Sequence, residues 1–222
     1  MSEMDNSNAY KMENAKPEHL VELVNLLNEG FLFEEPLNKA IKLEKDECEL
    51  YFKNSTLHCL KSDSSILIRR VDNGQIVACA LNQLGCVMNG QLNADFEDGM
   101  NYERRINKMN NFVNFMRQGL LEVLPDGSSY LEICTLSVHP QYYRRGLGRL
   151  VTEASIRRAE QLQCKFIVAV ATNYKSQALF DKLQFQTGKT IHLSSYLDPD
   201  TNEPMFICND GTTCAKLHYK SV

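Results

Sequence analysis

The feature that most restricts the fold is a junction. Residues 130–138, YLEICTLSV, are apolar and rich in β-branched side chains, the pattern of a largely buried strand. Shortly after it, Leu147, Leu150, Val151 and Ala154 recur at i, i+3, i+4 and i+7. That is one face of a helix, and Arg149, Thr152, Glu153, Arg157 and Arg158 fall on the other. Gly146 and Gly148 sit where the strand gives way to the helix, flanked by Arg144, Arg145 and Arg149. A helix start offers free N–H groups and the positive end of its dipole, and glycine lets an anion approach the backbone closely. The junction reads as a phosphate cradle, although a bare G-x-G also makes a plain tight turn. No Gly-Lys-Ser/Thr follows it, and the third glycine of a dinucleotide fingerprint is Val151 here. Nucleotide hydrolysis and hydride transfer both lose support.

The rest of the chain supplies the partners such a junction needs. With 222 residues there is room for one substantial core, and we expect a single domain over residues 1–222, flexible at 1–9. Strand patterns lie at residues 10–14, 65–71, 75–87, 166–171, 185–193 and 214–219. Asp72-Asn73-Gly74 turns the second strand into the third. Helical patterns open at Pro17 and cover 44–60, 102–123 and 176–183, while Gly30 and Pro36 interrupt the apolar period between the first two. Residues 89–99 are polar and loop-like. Helices distributed among a mixed sheet make an α/β (α+β) fold.

Composition narrows the function classes. A net charge of −4 with no basic run argues against a nucleic-acid partner. No apolar run approaches the roughly 18 residues of a membrane span, and the polar, acidic N-terminus is unlike a signal peptide. The eight cysteines contain no C-x-x-C and no finger spacing, so we expect reduced thiols, no metal and a cytoplasmic protein. A monomer is the expected state.

The strand, the His139-Pro140 that ends it, the G-x-G and the helix together resemble the acetyl-CoA motif of the GNAT superfamily of N-acetyltransferases. That motif usually reads Arg/Gln-x-x-Gly-x-Gly/Ala. Here it is Tyr143-Arg144-Arg145-Gly146-Leu147-Gly148, with Tyr143 in place of the usual first residue. The resemblance implies the GNAT fold, in which the strand before the cradle and the strand after its helix splay apart to admit the pantetheine arm of acetyl-CoA. It implies cofactor contacts from Leu136, Ser137, Val138, Tyr143, Arg144, Arg145, Gly146, Leu147, Gly148, Arg149, Asn173 and Phe180. Residues 171–185, ATNYKSQALFDKLQF, are similar to a later motif of the same superfamily. Its usual glycine is Gln184 here, and Phe180 stands where a tyrosine often acts as the acid. Phe180 cannot protonate a thiolate and reads as a core aromatic.

Residues 30–38, GFLFEEPLN, are similar to a segment of the insect arylalkylamine N-acetyltransferases, the dopamine N-acetyltransferase group. That resemblance implies a catalytic glutamate at Glu35 and two serines four apart, at positions that are Thr172 and Ser176 here, so the first departs from the pattern but keeps a hydroxyl. An alkylamine with a pKa of roughly 10 arrives protonated, so a carboxylate must accept its proton before it attacks a thioester. The oxyanion needs a backbone N–H, for which Leu136 and Val138 are the candidates. Taken without the resemblance, Glu34-Glu35-Pro36 reads as a solvated bend. His139 reads as positional, and no Ser/His/Asp order or metal-ligand spacing involves His58 or His192. The stripe of Met109, Phe112, Met116 and Leu120 is either core or a pocket wall, and Phe31, Phe33, Tyr51 and Phe52 are comparable pocket candidates. The expectation is acetyl transfer from acetyl-CoA to dopamine, octopamine, tyramine or serotonin in a ternary complex. The alternatives are transfer to polyamines, other small amines or a peptide N-terminus, and a CoA-binding protein without turnover.

Overall fold

A computed structural model describes residues 9–94 and 102–222. The strands are β1 (Tyr10–Asn14), β2 (Ile66–Arg70), β3 (Ile76–Met88), β4 (Gln91–Ala94), β5 (Ser129–Val138), β6 (Phe166–Ala171), β7 (Gln186–His192) and β8 (Cys214–Ser221). The helices are α1 (Leu20–Leu26), α2 (Leu32–Glu34), α3 (Pro36–Ala40), α4 (Lys45–Cys59), α5 (Arg104–Arg117), α6 (Leu120–Val123), α7 (Leu147–Gln161) and α8 (Tyr174–Lys182). The strands form one open sheet in the order β1-β2-β3-β5-β6-β8-β7, with β4 paired to β3. Neighbours are antiparallel except β5 and β6, which are parallel because α7 crosses between them. This is the mixed α/β architecture expected from the element order.

Runs that are apolar on both faces become the central strands, because both faces are covered. Leu131, Ile133, Ile167 and Ala169 meet Leu147 and Val151 of α7 and Phe180 of α8 on one side. Leu67, Cys79 and Leu81 meet Leu23 of α1, Phe52 of α4 and Ile106 of α5 on the other. A third cluster joins Phe112 and Met116 to Val168, Leu217 and Phe206. No helix among the described residues is long and apolar enough to cross a membrane.

Three local expectations need correction. The helical pattern of residues 102–123 is two helices, α5 and α6, with Gly119 between them. A side chain at Gly119 would meet Leu217 at 3.0 Å and Lys189 at 2.8 Å, so the bare backbone lies against β7 and β8. The loop expected at 89–99 begins as a hairpin. Asn89 and Gly90 both have positive φ, 54° and 68°, and return the chain as β4 along β3. Asn-Gly is the strongest short signal for that turn. The last helix starts earlier than residue 176, because Asn173 Oδ1 accepts the Lys175 N–H at 2.8 Å and caps it. Of the segment expected to be flexible, residues 1–8 lie outside the described residues, as do 95–99 of the expected loop.

Candidate active site

A gap opens in the middle of the sheet. β5 and β6 are paired from Tyr130 opposite Phe166 to Ile133 opposite Ala169, although β5 continues to Val138. On its other edge β5 remains paired with β3, except that Leu81 opposes Thr135 and Asn82 opposes Ile133, leaving Cys134 as a bulge. A bulge bends its strand, and this one lies where β5 departs from β6. The His139 N–H donates to the Val77 carbonyl on β3 at 2.8 Å. Counting back by the two-residue period, the amides of Ser137 and Thr135 also face β3, and those of Leu136 and Val138 face the gap.

A cavity of about 710 Å³ fills the gap. Leu136, Ser137 and Val138 form one bank, Thr172, Asn173, Ser176 and Phe180 the other, and Tyr143, Arg144, Gly146, Leu147, Gly148 and Arg149 close one end. Among the residues expected to hold a cofactor, Arg145 alone is not part of this lining. Its guanidinium lies 5.1 Å from the Tyr142 ring centroid and donates to the Tyr10 hydroxyl at 3.2 Å. Lys175 and Lys182 of α8 also line the cavity. Their i, i+7 spacing on one helix face was the available signal for them.

The end of the cavity is built for an anion. Arg144 (φ 60°) and Gly146 (φ 78°, ψ 0°) take the left-handed conformation, and Gly146 caps α7 with no side-chain hydrogen bond to the helix amides. The first amides of a helix have no partner within it. A side chain at Gly146 would be strained by its φ. Free amides and arginines on one rim fit a pyrophosphate-bearing ligand. The missing glycine of the later motif also has a consequence here: Gln184 holds φ 62° after α8, where glycine is free of strain.

Glu35 reaches this gap because of the proline that follows it. A residue before proline is pushed out of the helical region, and Glu35 is extended (ψ 121°) between α2 and α3. Its side chain turns back over α3 and accepts the Leu37 N–H at 3.4 Å. The residue is 8% exposed. Burial raises its pKa to about 7, against hydrogen bonds from Thr172 and Leu37 that favour the ionised form, and Asp210 adds to the rise. Glu34, its neighbour, is only half-buried and also faces the main cavity. Ser176 Oγ donates to the Asn173 carbonyl at 2.8 Å. His139 accepts the Gln141 N–H through Nδ1 at 3.3 Å, a positioning contact at the strand end.

Thr172→Val removes a hydrogen bond that stabilises the ionised Glu35. The Glu35 titration is expected to move to higher pH, read from the pH dependence of unfolding. An unmoved titration would exclude Thr172 as its hydrogen-bond partner.

A recess of about 80 Å³ leads off the cavity, sharing Phe31, Glu35, Ile133, Cys134, Thr135, Val170 and Thr172 with it. Tyr51, Phe52 and Met109 wall it. Phe33 is not among its walls and is 55% exposed. Phe112, Met116 and Leu120 are core. The structure adds Asn38, whose buried Oδ1 has no partner among the described residues, and the Arg117–Glu132 ion pair. Asn38 stands in the EEPLN segment, but an asparagine just inside a helix start carries no signal of its own.

The acetyltransferase (GNAT) family model matches residues 21–185, most of the chain. The chain belongs to this family. The acetyltransferase also resembles solved structures over 96% of its length. Arylalkylamine N-acetyltransferase 2 from Aedes aegypti is 22% identical, with a TM-score of 0.79 and 98% of that chain covered. The C-terminal condensation domain of Ebony, solved with beta-alanyl-dopamine, is 15% identical with a TM-score of 0.80 and 99% covered. The polyamine N-acetyltransferase of Drosophila melanogaster, described as forming N-acetylagmatine, is 17% identical with a TM-score of 0.69 and 100% covered. At these identities the likeness is one of fold. No curated protein matched the chain.

Proposed function

We propose that this acetyltransferase moves the acetyl group of acetyl-CoA onto the primary amine of an arylalkylamine by direct attack within a ternary complex. The observation that supports this best is the meeting of two spaces at one buried carboxylate: an anion-binding gap and an aromatic-walled recess join at Glu35. Acetyl-CoA supplies an activated thioester carbonyl. Its phosphates would be held by the amides at the start of α7, with Arg144 and Arg149 alongside, and its pantetheine arm by the open edge of β5.

The residues of this chain then divide the chemistry. Glu35, ionised above about pH 7, accepts a proton from the incoming ammonium, and Asn38 Oδ1 offers the ammonium a second acceptor. The amides of Leu136 and Val138 donate to the carbonyl oxygen as it gains charge. Thr172 holds the Glu35 carboxylate by a hydrogen bond. Ser176 reorients its hydroxyl from the Asn173 carbonyl toward the departing sulfur, a role Phe180 has no group to fill.

The test is purified protein with acetyl-CoA and a panel of dopamine, tyramine, serotonin, histamine, spermidine and one peptide, with acetylated product read by mass spectrometry. Acetylation of the aromatic amines is the expected result. Turnover with spermidine or the peptide alone would keep the reaction and discard the amine class. Acetyl-CoA binding with no product from any amine would discard catalysis. An acetylated cysteine that passes its group to amine would replace direct attack with a covalent route.

A further inference from the structure

One polar atom of the recess is left over. Asn38 is 1% exposed, and its Oδ1 has no hydrogen-bond partner among the described residues. The amide is oriented from its other side. Nδ2 donates to the Phe31 carbonyl at 3.5 Å, and a carbonyl takes only a donor, so Oδ1 is the edge left free. Asn38 lines the recess and not the main cavity. The recess has one carboxylate besides Glu35 among the described residues, Glu132 of β5. Both of its oxygens are already engaged, by Arg117 Nε at 2.7 Å and by Gln83 Nε2 of β3 at 2.8 Å.

A buried acceptor without a donor is costly, and folded chains carry few of them. The place of Asn38 on α3 supplies a reason for this one. Glu35 caps the start of α3 and Asn38 is the third residue of that helix, positions whose side chains lie together at a helix start. Both line the recess, so a carboxylate and an amide oxygen converge among Phe31, Leu37, Phe52 and Met109. An amine that has given one proton to Glu35 keeps two N–H bonds while its lone pair faces the thioester. One stays with the Glu35 carboxyl and the other reaches Asn38 Oδ1. A secondary amine keeps a single N–H at that stage. Its N-methyl group displaces either the contact with Glu35, which carries the proton transfer, or the contact with Asn38, which leaves that acceptor buried and unpaired.

We propose that Asn38 is a specificity-determining residue of this acetyltransferase, whose Oδ1 reads the number of N–H bonds on the nucleophile, so that primary amines are accepted and their N-methylated forms are rejected. This rests on the reading of the recess as the amine site. It adds a discrimination at the nitrogen that aromatic walls, which meet the far end of an amine, do not supply. The rejection works through an acceptor left unpaired, the means by which a polar site refuses an analogue that lacks an N–H.

The experiment compares kcat/KM for tyramine and N-methyltyramine in the full chain and in Asn38→Leu and Asn38→Asp. The wild type is expected to favour tyramine by about tenfold or more. Asn38→Leu keeps the volume and removes the acceptor. It is expected to lower the tyramine value by about tenfold and to leave N-methyltyramine nearly as it was, so that the ratio narrows while acetyl-CoA affinity is unchanged. Asn38→Asp keeps an acceptor and is expected to keep the preference. Should Asn38→Leu fail to bind acetyl-CoA, Asn38→Ala carries the same expectation. A wild type that uses N-methyltyramine as well as tyramine would overturn the inference, as would a folded variant without the amide that retains the wild-type ratio. Those outcomes leave acetyl transfer intact. If tyramine is not acetylated, it is the proposed function that fails. Calorimetry of the two amines against the CoA-bound protein then reads the same preference, and equal affinities there would overturn the inference as well.

Discussion

Glu35→Ala is expected to lower kcat/KM for the amine by about a hundredfold or more, the usual scale for loss of a general base. The dissociation constant of acetyl-CoA is expected to stay within about twofold, since the amides and arginines at the start of α7 are untouched. In the wild type, the rate should rise with pH and level off above about 7, where Glu35 ionises. Glu35→Gln should lose that acidic limb. The same titration acts on folding, with a sign opposite to the common carboxylate case. The folded pKa is raised, so between about 4.5 and 7 the folded chain holds a proton that the unfolded chain has released. Stability therefore falls as pH rises through that window and is level above it, by up to about 3 kcal/mol. Glu35→Gln should remove this dependence. Near-normal turnover in Glu35→Ala would take the residue out of the mechanism, and a denaturation midpoint that ignores the substitution at every pH would deny its buried ionisation.

Phe112→Ala is expected to cost about 3–5 kcal/mol of stability, the range for removing a fully buried phenylalanine. Its ring is wholly buried and lies 4.6 Å from the Tyr196 ring and 5.0 Å from the Phe206 ring, centroid to centroid. Those two residues belong to the connection between β7 and β8. The same connection sets the Cys208 thiol on the Pro36 carbonyl at 3.7 Å and brings Asp210 near Glu35. Phe112 thus supports the back of the site without lining it. Chemical denaturation measures the loss, and acetyl-CoA affinity of the fraction that remains folded should be unchanged. A loss below about 1 kcal/mol would mean the aromatic cluster is not closely packed.

Much of the architecture was legible because its causes are local. Apolar period separates β5 from α7, two glycines mark the junction between them, and the pre-proline rule extends the chain at Glu35. The misread segments also have local explanations. Asn89-Gly90 is a hairpin turn inside a polar stretch whose composition suggested a loop. The break between α5 and α6 was hidden because the apolar period carries on past Gly119, and only the tertiary structure shows Lys189 and Leu217 packed against its bare backbone.

The recess is the opposite case. Arg117 and Glu132 are separated by a helix end, a short helix and a turn, and each alone reads as a surface charge. Gln83, on a third element, completes their network. Whether β5 leaves β6 at Ile133, which amides then face the gap, and that Glu35 is buried rather than solvated all depend on contacts between segments distant in the chain. The sequence by itself determined which stretches form strands and helices and where an anion can be held, since backbone sterics and hydrophobic period act over a few residues. Only the tertiary structure decided the burial of Glu35 and the walls of the recess, because desolvation and ion pairing depend on what the rest of the chain packs around a group.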